Sequence, residues 1–192
     1  MNRSNIAQAL SIVAAAYGRK FGVKVEVGGE RACTNGQVIR IPEIADDPLA
    51  KTLAWGFLAH EAAHVRFTDF GAFDQAARKG PLAKHILDTL EDVRVEDAIG
   101  VPYPGTRTTL DQVVQWLVQE GKTSAPKEAD SPPMVLGNAL LVLARHRYRH
   151  QGFLKEAATE AERVLRKTFP ASFVHRLLGL LTEIPRMAST QD

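Results

Sequence analysis

Cysteine is almost absent: Cys33 is alone in 192 residues. A single thiol cannot close an internal disulfide or build a thiolate metal site, so a reducing compartment, the cytoplasm, is the expected location. Long hydrophobic runs are absent too. No stretch approaches the ~18 unbroken apolar residues of a membrane span, and none is expected to cross a bilayer. Neither sign of charge dominates, because 24 basic and 22 acidic residues leave a formal net charge of +2. That is far from the one-sided balance of a nucleic-acid binder, which makes nucleic acid an unexpected partner. No internal repeat is visible. What is present is ordinary globular composition, 45% hydrophobic and 24% charged, with length enough for one domain and its core.

Behind Arg3, "IAQALSIVAAAYG" has the outline of a secretory leader, but Gln8 and Ser11 interrupt it. With Ser4 as N-cap, the stretch predicts a first helix with Ile6, Ala9, Leu10, Val13 and Tyr17 along one side. "GVKVEVGG" and "ACTNGQVIRIP" are rich in β-branched residues and punctuated by Gly28-Gly29 and Asn35-Gly36, dipeptides that supply positive φ in tight turns. They predict a small antiparallel sheet near the N-terminus.

Asp47 as N-cap and Pro48 in the first helical position open a long helix over 48–67. Gly80-Pro81 opens another in the same way, and Gly100 stops it; a loop or short helical turn is expected between the two. Thr109 and Gln112 have the form of a capping box for a short helix to Glu120. Residues 121–133, without periodic apolar positions, read as a mobile surface loop. Helices are expected over 134–149, 153–168 and 171–182, then a frayed tail over 186–192. The fold class is α+β, mainly helical, in one domain.

The chemistry lies in "FLAHEAAHVRFTD", residues 57–69, where His60, Glu61 and His64 form the pattern HExxH. Positions four apart on a helix stand one turn above each other, so two imidazoles can grip one ion. The glutamate between them is turned about 100° around the axis and can reach a water on that ion without ligating it, as a general base. With six histidines in the chain, a chance match is expected roughly 0.01 times.

Catalytic zinc usually takes three protein ligands, so the next helix matters. "DTLEDVRVED" offers Asp88, Glu91, Asp92, Glu96 and Asp97. On the helical wheel Glu91 falls inside the apolar arc, whereas Asp92 and Glu96 turn toward the polar side. An acid facing a core needs positive charge, which a zinc ion on His60 and His64 supplies; Arg94, three residues on, is the competing partner.

HEAAHVRFTD followed by LEDVRVE resembles the zincin-like metallopeptidase domain found ahead of von Willebrand factor A modules in cobaltochelatase CobT-type proteins and nitric oxide reductase activation proteins. The resemblance is close over about residues 30–100. It implies a zincin-like fold, a Zn2+ site of His60, His64 and Glu91, with Glu96 the alternative ligand, and an AAA+ ATPase partner.

The leading expectation is therefore a zinc-dependent metallopeptidase, a hydrolase cleaving a peptide or protein substrate with Glu61 as base. An edge strand, "QVIRIP", would hold an extended substrate by main-chain pairing. His146, Tyr148 and Tyr103 are the candidate oxyanion stabilisers. The rival is a catalytically silent zincin-like interaction module acting with an AAA+ ATPase. A third reading, nucleic-acid binding through "RHRYRH", is set against a solvated helix end. His85 and His175 are expected at the core's edge, and Trp55 and Trp116 as packing anchors.

Overall fold

The computed structural model describes residues 3–43 and 47–191, with side chains from residue 8 onward. Ile6 and Ser4 of the expected first helix face and cap, and Asp192 of the expected tail, therefore lie outside the described side chains. The chain is mainly helical with one small sheet. Among the described residues no helix is long and apolar enough to cross a membrane. The residues form two compact units, 1–70 with 95–114 and 71–94 with 115–192.

The first unit begins with α1 (Arg3–Gly18), followed by β1 (Lys24–Val27), β2 (Cys33–Thr34) and β3 (Val38–Ile41). β2 and β3 form a hairpin around Asn35-Gly36. Asn35 Oδ1 accepts the N–H groups of Gln37 and Val38 at 3.0 and 2.9 Å, and Gly36 takes φ +83°, which only glycine adopts readily. β1 lies on the other side of β3 and pairs with it in parallel, Lys24 opposite Val38 and Val27 opposite Ile41. The expected antiparallel sheet is thus mixed, in the order β1-β3-β2. The reason is topological: two chain reversals separate β1 from β3 and restore its direction. "QVIRIP" is consequently the central strand, paired on both sides, and no edge for a peptide.

α2 (Pro48–Phe67) has the expected bounds, with Asp47 Oδ1 accepting the N–H of Ala50 at 2.9 Å and Pro48 in the first turn. It packs on α1 and the sheet, and Leu58, Ile39 and Ile41, all 0% exposed, centre that core. Each such side chain contributes about 1.5–3 kcal/mol by leaving water. Arg107 and Thr109 lie on α5 (Gly105–Gln119), which starts four residues before the expected capping box. Tyr103 already reverses the chain, its carbonyl accepting the Thr106 N–H at 2.9 Å.

α2 meets α5 at Gly56, where an added Cβ would stand 2.4 Å from Val113 Cγ2 and 2.6 Å from the Thr109 carbonyl oxygen. Alanine gains about 1 kcal/mol in helix propensity, but a backbone oxygen yields little, and overpacking costs about 1–3 kcal/mol or more. Gly56→Ala is expected to lower the urea midpoint; a variant as stable as the parent would contradict this close approach.

The second unit holds α3 (Phe70–Lys79) from residue 71, the first part of α4 (Pro81–Ile99), the end of α5, α6 (Pro132–Tyr148), α7 (Lys155–Thr168) and α8 (Ala171–Leu181). α3 is a ten-residue helix where a loop or single turn was expected. Val135, Ala139, Val142 and Leu143 of α6 pack with Ala158, Ala161, Val164 and Leu165 of α7, joined by Val174 of α8 and Val93 of α4.

The stretch expected to be a mobile loop is held at several points. Thr123 is buried, the Lys122 ammonium lies 4.2 Å from the Trp116 ring centre, and Glu128 pairs with Lys167 and, at 2.7 Å, Arg163. Lys167 and then Arg163 hold the Glu128 carboxyl below its ordinary range. The tail is likewise docked: Thr190 is buried, and Ala188 and Thr190 both meet the α4 side chains described below.

Candidate metal centre

His60, Glu61 and His64 lie in the second half of α2, where small residues let neighbouring helices come close. Ala59 and Ala63 pack with Val95 and Ile99 of α4 in one buried cluster, with Leu110 of α5. Ala62, on the opposite side, belongs to the core over the sheet. Glu61 and His64 are buried and His60 is partly exposed. The two imidazoles stand one turn apart with ring centres 4.8 Å from each other, nearly edge to face at 76°. The HExxH spacing thus does what helix geometry requires of it.

Both rings are held at Nδ1. His60 Nδ1 lies 3.0 Å from Glu96 Oε1, and the Glu96 side chain is 3% exposed. His64 Nδ1 lies 2.9 Å from Oγ1 of Thr68, the residue that ends α2, whose own N–H donates to the His64 carbonyl at 3.0 Å. The Glu96 position departs from the wheel: a residue expected on the polar side is buried and faces His60 of α2, which no periodicity within α4 could reveal. Thr68 was missed outright. Its signal was a hydroxyl residue four positions after His64, at the predicted end of the helix.

Glu91, the expected third ligand, lies in the second unit. Its carboxylate is 2% exposed and receives the Arg94 guanidinium in a two-pronged pair, Nε to Oε2 and Nη2 to Oε1, both at 2.7 Å. Thr190 donates its hydroxyl to Oε1 at 2.9 Å. The competing partner read from the sequence, Arg94, is where this acid is found. Asp92 follows it on α4, one turn before Glu96 on the same helix face, and is only partly buried. Asp88 pairs with Lys84 at 2.7 Å, and Asp97 with Arg107 at 3.8 Å.

The other sequence candidates have defined surroundings. Tyr103 donates its hydroxyl to the Ala16 carbonyl at 2.8 Å and leans on Tyr17 at 4.6 Å between ring centres. Tyr148 packs against the core of the second unit, and burial raises its phenol above the ordinary range. His146 Nδ1 sits 3.3 Å from the Gln151 carbonyl. In the "RHRYRH" run Arg145 and Arg149 are buried, and Arg147 pairs with Glu162 at 2.8 Å. His85 and His175 are exposed. Trp55 packs on the first unit's core as expected, while Trp116 carries Lys122 on its face.

Two imidazoles held through Nδ1, with the buried Glu96 carboxylate beside them, suit a divalent transition-metal ion; nitrogen and oxygen donors of this kind accept cobalt, nickel and iron as well as zinc. The donor set therefore fits a metal without selecting Zn2+.

No curated protein and no solved structure matches the chain. The family model described as "Cobalamin biosynthesis protein CobT" matches residues 2–182. That match overturns the peptidase expectation, because a family defined by building cobalamin is not one that hydrolyses peptide bonds. With it fall the hydrolase reading, the peptide substrate and the oxyanion roles for Tyr148, His146 and Tyr103. The silent zincin-like module has no support either. HExxH misled because its spacing specifies a metal grip and a nearby carboxylate, while the reaction depends on what else reaches the ion. The CobT part of the resemblance stands: matched over nearly its whole length, the chain belongs to the CobT family of cobalamin biosynthesis proteins.

Proposed function

We propose that this chain is a divalent-metal-binding component of the cobalt-inserting step of cobalamin biosynthesis, with His60 and His64 as ligands. The observation that carries the reading is the pair of imidazoles one turn apart on α2, both anchored at Nδ1 by neighbouring residues. Glu91 is set aside as the third ligand because both its oxygens already accept charged hydrogen bonds from Arg94. A bound ion supplies concentrated positive charge here. The chain's own groups hold it: two imidazoles ligate, and Glu61, buried on the same helix, supplies a carboxylate.

Its partner is a protein, and the resemblance favours an AAA+ ATPase, so the chain acts within an enzyme assembly. Calorimetric titration of the metal-free chain with Co2+ or Zn2+ should give one ion per chain. His64→Ala should weaken binding at least about 100-fold, beyond the 10- to 100-fold typical of an outer residue, while Glu91→Gln leaves it near the parent value. Loss of the ion in Glu91→Gln would return Glu91 to the ligand set, and absence of binding by the parent would end the reading.

A further inference from the structure

Glu96 was expected either to solvate α4 or to ligate the ion directly, and the geometry points to neither. We infer that Glu96 is a positioning residue: its carboxylate accepts the Nδ1–H of His60 and thereby presents Nε2 as the ring's ligating nitrogen. This rests on the proposed metal-binding reading for its purpose, though not for its chemistry.

Two observations and one rule of imidazole chemistry converge on it. Glu96 Oε1 lies 3.0 Å from Nδ1, within hydrogen-bonding distance. The carboxylate is almost fully buried, so its bond to the imidazole is shielded from water. A neutral imidazole carries one proton. A carboxylate acceptor at Nδ1 draws that proton there and leaves the lone pair on Nε2. Thr68 Oγ1 stands in the same relation to His64 Nδ1 at 2.9 Å, but a hydroxyl can donate as well as accept and imposes no tautomer. The two rings are therefore oriented by unequal devices: the charged one acts on partly exposed His60 and the neutral one on buried His64. The assignment also explains why a buried acid lies next to the HExxH helix without having to serve as ligand.

The test separates this role from both ligation and metal binding. In the metal-free full chain with 15N-labelled histidine, at about pH 8 where an ordinary imidazole is neutral, long-range 1H–15N correlation should show His60 protonated on Nδ1. Glu96→Leu should shift His60 toward the Nε2–H form with the remaining histidine signals unmoved. It should also weaken Co2+ binding ~10–100-fold, the usual loss on removing an outer partner of a metal-bound histidine. Glu96→Gln, whose amide oxygen still accepts from Nδ1–H, should keep the parent tautomer and recover most of the affinity. An Nε2–H tautomer in the parent overturns the proposal. So does a Glu96→Gln variant that loses Co2+ as completely as His60→Ala, which would make Glu96 a ligand. If the tautomers behave as stated and no variant or parent binds metal, the metal-binding reading fails and the positioning role of Glu96 is upheld.

Discussion

His60→Ala and His64→Ala are each expected to abolish binding of Co2+ and Zn2+, at unequal expense to the fold. Removing either imidazole leaves one nitrogen ligand, and no residue one turn away on α2 can replace it: Gly56 and Thr68 occupy the flanking positions. Alanine is a good helix former, so α2 itself persists. The asymmetry comes from what each ring holds. His60→Ala removes a hydrogen-bonding partner of the buried Glu96 carboxylate, and a hydrogen bond to a charged group is worth about 1.5–3 kcal/mol. His64→Ala loses a bond to the Thr68 hydroxyl at the end of a helix, about 0.5–1.5 kcal/mol.

Thermal unfolding checks both halves. In chelator, His60→Ala should melt below His64→Ala and both below the parent. With metal at a hundred times its dissociation constant the parent should gain about 2.7 kcal/mol while neither variant moves. A variant that the metal stabilises as it does the parent would remove that histidine from the site.

Arg94→Met is the second large effect, expected to destabilise the chain by about 3–5 kcal/mol. Methionine fills much of the space but leaves Glu91 buried without its cation. The penalty therefore belongs to the uncompensated acid more than to a lost attraction. Adding Glu91→Gln in the same chain should recover most of the loss, since an amide can still accept the Thr190 hydroxyl without carrying charge. Urea denaturation of the two single variants and the double variant gives the coupling directly. If Arg94→Met costs under about 1 kcal/mol, the pair lies in a wetter environment than its burial indicates.

That pair marks where sequence reading reached its limit. Glu91 was correctly read as inward-facing, and Arg94 was named as its competitor, but choosing between a metal and a guanidinium required knowing which groups meet the helix along its length. Thr190, 99 positions away, is one of them. Glu96 failed in the opposite direction, since a wheel describes one helix and its burial is produced by another. α3 escaped notice because glycines bracket a short amphipathic stretch, Gly71 within its first turn and Gly80 beyond its end, and such stretches read equally well as turns.

Local chemistry alone determined α2, α4 and the spacing of His60 and His64: caps, proline at the first turn and hydrophobic periodicity act within one or two helical turns. It also determined the hairpin at Asn35-Gly36, whose positive φ is a property of the dipeptide. Only the tertiary structure decided that β1 runs parallel to β3, that Arg94 takes Glu91, and that Glu96 reaches His60. Each of these joins residues whose encounter depends on how whole elements pack, and the free energy that selects such encounters is spread over surfaces no short segment contains.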